Sequence, residues 1–347
     1  MNTDDLFSQV RITSTGAICL GGSIVCDGFA PGMKAAAFTH IHTDHISNDF
    51  ERCLHRYDVY VTKMTFKMLE ALENDSYRRR RQLYGIDTEE PIAISHDSGS
   101  EHLTMYRSNH MLGAAQILYT KNDKLKILYS GDIAAGDSPP KCNVLVLDST
   151  HGNPTFDKKI NKYELDQSLL ETVHKALENK KPVRVHAHRG ELQYIMHLLT
   201  TDRRIPHEST PFLCLGKDIR LATIYSNNGM KIRKSIDIES DAGKDIRGDG
   251  QSPYVEFTTS FNRSISEESG KIISIFVSGR PGDKTITKTN DTVWIASRSH
   301  MEFSEILDYV KNASPEVVVT DNYRTGSGRD LADHIRGRLG IKARSCP

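Results

Sequence analysis

Ala35-Ala36-Ala37-Phe38-Thr39-His40-Ile41-His42-Thr43-Asp44-His45 is the stretch on which the rest of the chain turns. A short apolar run ends in four ligand-type residues within six positions. On a strand end, His40 and His42 alternate onto one side, so both imidazoles can grip one metal ion. Asp44 and His45, just past the bend, can face a second. Mixed His/Asp ligation suits zinc, with manganese or iron as borderline cases. The bland reading is a polar loop, and the density of donors argues against it.

Two later segments extend the set. Asn109-His110-Met111-Leu112-Gly113-Ala114 puts a histidine after a strand, and Tyr129-Ser130-Gly131-Asp132 puts an aspartate at a strand's C-terminal end. Either alone is weak, since a lone histidine is more often structural. In this order they form a series, and a bridging Asp132 would hold two metals about 3.5–4 Å apart, the separation suited to in-line phosphoryl displacement.

The order HxHxDH, lone His, then Gly-Asp resembles the metallo-β-lactamase superfamily. Leu147-Asp148-Ser149-Thr150-His151-Gly152-Asn153-Pro154 looks like the acidic motif that opens the β-CASP nucleases, closest to the DNA cross-link repair branch. Ser299-His300-Met301-Glu302-Phe303-Ser304-Glu305 resembles that group's later Ser-x-His motif, and Ser314-Pro315-Glu316-Val317-Val318-Val319-Thr320 the strand that follows. The resemblance covers nearly the whole chain. It implies an α/β fold: a metallo-β-lactamase αββα sandwich over 1–155 and 271–347, with an α/β cap of β-CASP type inserted at 156–270. It implies His40, His42 and His110 on a first ion, Asp44 and His45 on a second, and Asp132 bridging. It gives catalytic roles to Asp44, Asp148 and His300, with His300 either a ligand of the second metal or the proton donor to the leaving oxygen. The cofactor would be one or two Zn2+ ions, with Mn2+ or Fe as alternatives. The function implied is hydrolysis of phosphodiester bonds in DNA or RNA by a metal-activated hydroxide, with a lean towards exonuclease action. The alternatives are an RNA-processing nuclease, a small-molecule metallo-hydrolase and a non-catalytic partner subunit.

The sequence departs from the family in three places. Thr320-Asp321-Asn322-Tyr323 lacks the histidine of RNA-processing members and leaves Asp321 as a substitute oxygen ligand. Met301 and Glu302 follow His300 where small hydroxyl residues are expected, and His151 stands where an aromatic residue is commoner.

Around these motifs the chain alternates in character. Strand-like segments are expected at 18–26, 57–62, 101–107, 115–120, 126–129 and 144–147, bounded by turns. Met64–Asn74 is expected to be helical. After Pro154 a strand–helix alternation begins. Tyr163–Asn179 carries Leu165, Leu169, Val173 and Leu177 at helical spacing, and helices are also expected at 191–199, 218–225, 303–311 and 329–339. The Asp/Gly-rich segment 238–250 reads as loop.

Bulk properties bound the function. The 347 residues, 37% of them hydrophobic, suffice for two packed units. Lys and Arg number 45, as do Asp and Glu. Nucleic acid as partner would therefore need a local basic groove and not a global field. His188 and Arg189, opening a helix, and Arg324 and Arg329, flanking a Gly-rich turn, are the candidate substrate-binding residues. Arg78–Arg81 is the densest basic run, more simply read as a solvated helix face. No apolar run nears the roughly 20 residues that span a bilayer, and the acidic start is unlike a signal peptide. The six cysteines form no CxxC pair, so free thiols in a cytoplasmic protein are expected.

Overall fold

The computed structural model describes residues 2–46, 48–73, 81–94, 100–122, 124–157, 161–249, 252–261, 272–279, 285–289, 291–324 and 326–346. Arg78–Arg80 lie outside them. The chain divides into a discontinuous unit, 1–159 with 299–347, and a continuous unit, 160–298.

The discontinuous unit starts with α1 (Thr3–Ser8), closed by a capping box in which Asn2 and Asp5 satisfy each other's backbone N–H. Six strands follow in one sheet, in chain order: β1 (Val10–Ile12), β2 (Ile18–Leu20), β3 (Ile24–Cys26), β4 (Ala35–Ala37), β5 (Asp58–Thr62) and β6 (Leu83–Ile86). The first three pair antiparallel and β3 to β6 parallel. The strand-like segment 18–26, read from sequence as broken at Gly21-Gly22, is a hairpin, with Gly21 and Gly22 at positive φ in its turn. Helices α2 (Asn48–Leu54) and α3 (Lys63–Leu72) lie against β5 and β6. Thr62 caps α3 by accepting from Thr65 N, while its hydroxyl donates to Gly113 O at 2.7 Å. The helix start is thereby tied to the loop that carries His110.

A second sheet begins with β7 (Ile92–Ala93), β8 (Glu101–Arg107), β9 (Ala115–Lys121), β10 (Leu125–Tyr129) and β11 (Val144–Leu147). Its remaining strands come from the end of the chain. Along β9 to β11 the side chains alternate between two cores. Ile117, Tyr119, Ile127, Tyr129, Val144 and Val146 join Ile18, Leu20, Ile24 and Ala37 of the first sheet in one cluster. Leu118, Leu128, Leu145 and Leu147 join a second cluster, with helices, on the other face. Each fully buried Leu, Ile or Val contributes about 1.5–3 kcal/mol to this packing.

The continuous unit is a largely parallel sheet. Its helices are α4 (Lys162–Glu178), α5 (Glu191–Thr201), α6 (Gly216–Asn227) and α7 (Asp241–Asp249). Its strands are β12 (Val183–His186), β13 (Phe212–Cys214), β14 (Ser235–Asp237), β15 (Val255–Thr258), β16 (Ile273–Ser278), β17 (Ile286–Thr289) and β18 (Thr292–Ala296), ordered β14-β13-β15-β12-β16-β18-β17. Leu165, Leu169 and Val173 of α4 bury on Val183 and Val185, as their spacing requires.

Two expectations are corrected here. Segment 238–250 contains α7 and is not all loop. Gly243 lets this helix sit on the backbone of β14, where a Cβ would come 2.2 Å from Asp237 O. The return to the first unit comes at Ser299 and not at 271, because β16 pairs with β12, and β18 with β16. An apolar strand carries no mark of which sheet it will join.

The discontinuous unit closes with α8 (Phe303–Ala313), β19 (Val317–Asp321), α9 (Gly328–Leu339) and β20 (Lys342–Cys346). Both helices pack on the outer face of the second sheet, and β19 lies between β11 and β20, parallel to both. Helices thus line the outer faces of two sheets that share a core. No helix among the described residues is long and apolar enough to cross a membrane.

Candidate metal centre

Parallel pairing sends β10, β11 and β19 to one edge of the second sheet. Asp132, Asp148 and Asp321 therefore emerge side by side, each at or just past a carboxyl end. The strand β4 runs on through Phe38 and Thr39 into His40, and Ala115 N donates to Thr39 O at 3.0 Å, joining the two sheets here. Gly131 is required at this junction. It holds φ +54, and a Cβ would meet Thr39 Cγ2 at 2.8 Å and Ala115 O at 2.9 Å.

The HxHxDH segment folds back at once. His42 O accepts from His45 N at 3.0 Å and Ile46 N at 2.8 Å, so His45 returns towards His40. The nitrogens converge. His40 Nε2 lies 3.0 Å from His42 Nδ1, and His110 Nε2 lies 3.1 Å from the same atom. Asp132 Oδ2 is 3.5 Å from His40 Nε2 and 3.3 Å from His110 Nε2. Its Oδ1 is 3.3 Å from His45 Nε2. Asp132, Asp148 and His300 form a second group that shares Asp132 with the first, His40, His42, His110 and Asp132. His300 Nε2 is 4.0 Å from Asp132 Oδ2, while its Nδ1 is 3.1 Å from Asp148 Oδ2. Asp44 belongs to neither group. Its side chain is 65% exposed, with Oδ2 3.8 Å from His45 Nε2.

The charge states follow from these neighbours. Burial, then the nearby His45 and His42, holds the His40 imidazole well below its ordinary value, and burial lowers His110. Burial works against Asp132 ionising, but His45 and His110 outweigh it and hold the carboxyl well below the usual range. Burial also pulls His45 down, yet Asp132 and Asp27 overcome it and push the imidazole up to about 10. At His300 the hydrogen bond with Asp148 and the charge of Asp132 overcome burial and raise it to about 9.

This donor set fits a divalent cation. Neutral imidazoles and an ionised carboxylate are the forms that bind metal. His45 Nε2 is buried beside Asp132 Oδ1 at 3.3 Å, and once it gives up its proton its lone pair is open to a cation held by the same carboxylate. The ligands are also held from behind. His110 Nδ1 donates to Ser299 O at 2.7 Å, which aims Nε2 at the cluster.

Residues that sequence reasoning missed do similar work. Asp137 accepts from Asn109 N at 2.6 Å, Ser108 Oγ at 2.8 Å and Ala134 N at 2.9 Å, tying the His110 loop to the Asp132 loop. Asp27, just past β3, lies 2.7 Å from His45 Nδ1 through Oδ2. Its only sequence signal is Asp-Gly after a strand, which reads as a turn. His151, which the sequence marks only as a departure from the family pattern, is buried, with Nδ1 2.9 Å from Met301 O.

The substrate-binding expectations fare unevenly. In the continuous unit, His188 is exposed and stacks on Phe261 at 4.6 Å, while Arg189 donates to Asp218 at 3.2 Å. Arg329 is exposed on the first turn of α9. Arg324 is corrected: its side chain is buried and paired with Asp321. That pairing also occupies Asp321, expected as a substitute oxygen ligand. The Gly-rich turn reads as exposed, but its first arginine points inward to a carboxylate.

No model of a known protein family matches the sequence. A crystal structure of a protein of unknown function from Enterococcus faecalis V583 shares the fold, with TM-score 0.58 and 15% identity over 92% of this chain and 81% of that one. The "RNase J-like protein" of Methanocaldococcus jannaschii is 36% identical over 83 residues, covering 21% of this chain and 19% of the relative. "Endoribonuclease YSH1" of Mycosarcoma maydis is 26% identical over 163 residues, 38% of this chain and 18% of the relative. The match thus spans under a fifth of either of these relatives. The "Uncharacterized protein in lig 3'region" of Acidianus ambivalens is 33% identical over 133 residues, 38% of this chain but 91% of the relative. With nearly all of that protein covered at this identity, the chain belongs to the same family as the Acidianus ambivalens protein.

Proposed function

We propose that the protein is a metal-dependent nuclease that hydrolyses phosphodiester bonds of DNA or RNA. In this reading the discontinuous unit is a metallo-β-lactamase sandwich and the continuous unit its β-CASP-like cap. The observation that carries it is the convergence of His40, His42, His110 and His45 on the buried carboxylate of Asp132. Partial relatives named RNase J-like protein and Endoribonuclease YSH1 support both the superfamily and a nucleic-acid substrate.

His40, His42 and His110 would hold one ion, His45 with Asp44 the other, and Asp132 both. Bound there, zinc or manganese would supply an activated water and offset charge on the phosphoryl oxygens. The chain's own groups supply the rest. Asp132 fixes His45 and His110 at 3.3 Å each. Asp148 is anchored by Thr150 N at 2.8 Å and Thr150 Oγ1 at 2.7 Å, and it orients His300 through Nδ1. With its imidazole pushed up to about 9, His300 carries a proton at pH 7 and faces the cluster through Nε2. Held by Asp148 at Nδ1 and with Nε2 towards the cluster, His300 is set as proton donation to the leaving oxygen would require. Action from a strand end is the favoured mode.

The test is cleavage of matched end-labelled single-stranded DNA and RNA in zinc or manganese. Wild type should cut at least one strand, Asp132→Asn neither, and the ladder would give polarity. His300→Gln should keep its metal and lose turnover. Inert, metal-loaded wild type on both strands would end the nuclease reading.

A further inference from the structure

Arg324 is a charged group that takes no part in the ligand set. It sits in the turn after β19, its side chain 9% exposed. Nη1 donates to Asp321 Oδ2 at 2.5 Å, and Nη2 donates to the backbone carbonyl of Asp27 at 3.1 Å. Asp321 is fixed in turn. Its Oδ1 accepts from Tyr323 N at 2.9 Å, and its backbone carbonyl accepts from Ser149 Oγ. A guanidinium buried this far is costly unless paired, so the turn carries an expense that a surface arginine would not.

Asp27 stands at the other end of the fork. Its φ is +46, a left-handed conformation that a residue other than glycine holds only where its surroundings impose it. In this conformation the carbonyl meets Arg324 while the carboxylate meets the ligand loop. Oδ1 accepts from Thr39 N at 2.8 Å. Oδ2 accepts from Thr39 Oγ1 at 2.7 Å and Tyr129 Oη at 2.9 Å, and lies 2.7 Å from His45 Nδ1. Relaxing the backbone of Asp27 would swing the carboxylate away from His45, whose Nε2 would then leave its place 3.3 Å from Asp132.

On the metal-site reading above, we propose that Arg324, braced by Asp321, is a positioning residue that clamps the backbone of Asp27 and so holds the half of the metal centre built on His45. The planar fork matters. It spans two acceptors at fixed angles, which an ammonium on a flexible stem does not. The clamp acts on His45 directly and reaches His40 only through Thr39, whose Oγ1 lies 2.9 Å from His40 Nδ1, while His110 keeps a separate support in Ser299 O.

The test uses the full-length protein stripped of metal and titrated calorimetrically with zinc alone. It compares wild type, Arg324→Lys and the double variant Arg324→Met/Asp321→Asn, which removes both charges and leaves the net charge unchanged. His45→Gln identifies which binding step belongs to that half. Wild type should show two steps. The double variant should weaken the His45 step about 10–100-fold, as for loss of an outer support of a ligand, and the other step by less, since only His40 is reached there, through Thr39. Arg324→Lys should fall between. Wild-type values for both steps in a folded double variant, judged by near-UV circular dichroism, would overturn the clamp. If the double variant does not fold, unchanged steps in Arg324→Lys overturn it. Two zinc steps without any nucleic-acid cleavage would end the nuclease reading and leave the clamp to the variants; fewer than two steps in wild type would end the clamp itself.

Discussion

Asp132 is the single side chain on which both ligand groups depend. Asp132→Asn keeps the size but gives up the charge, so zinc affinity should fall by more than the about 10–100-fold typical of a supporting residue, read by competition against a chromophoric chelator. Protons report the same chemistry. Below its value of about 10 the His45 imidazole is protonated, so a cation that takes Nε2 at pH 7 must expel that proton. Zinc binding should therefore release protons and weaken as pH falls. Titration in buffers of different ionisation enthalpy would measure the release, and equal heats in all of them would contradict it. That His40, His42, His110 and Asp132 lie together was legible in sequence, because donor residues so dense after a strand point to one site. Their supports were not. Asp27, Asp137 and the inward turn of Arg324 act through hydrogen bonds to residues distant in the chain, as the 2.7 Å approach of Asp27 to His45 shows, and nothing in the local pattern marks them.

Elements place these residues, and single positions decide whether the elements can meet. At Gly131, an added Cβ would collide with Thr39 Cγ2 and Ala115 O at a left-handed backbone. Gly131→Ala should lower stability by about 1–3 kcal/mol, measured by urea unfolding, and loosen metal binding with it. Asp137→Ala would strip the acceptor from Asn109 N and Ala134 N. A cost of about 1–3 kcal/mol is expected for leaving such donors unmet, and Asp137→Asn should recover part of it. Amphipathic helices such as α4 and α8 were readable because periodic burial needs no knowledge of the partner. The helix α7 was not, since its Asp- and Gly-rich sequence favours a turn, and its support comes from the close fit of Gly243 against β14 and the packing of Ile246 on Leu213 and Tyr254.

At the scale of the molecule, the cores are separate. Val185 belongs wholly to the core of the continuous unit, and Ile127 to that of the unit bearing the ligands. Val185→Ala should therefore lower the melting temperature, at a cost of about 1–3 kcal/mol, without changing zinc affinity. A change in zinc affinity would mean that the two units are coupled. The strand–helix alternation after Pro154 marks a change of character in the sequence, but nothing in it marks Ser299 as the start of the closing segment, because β16 and β18 look like any buried strand. The discontinuity also bears on how the chain comes off the ribosome. Residues 40–132 carry most of the ligands and are made early, yet β11 lacks its neighbour β19 until residues 317–321 have been synthesised. Through that interval an apolar strand edge stands open, a template for pairing with another nascent chain. The continuous unit is completed in the meantime, so the exposed edge waits on translation of the intervening 160–298. Slow elongation through that stretch should raise the yield of aggregates more than slow elongation after residue 321.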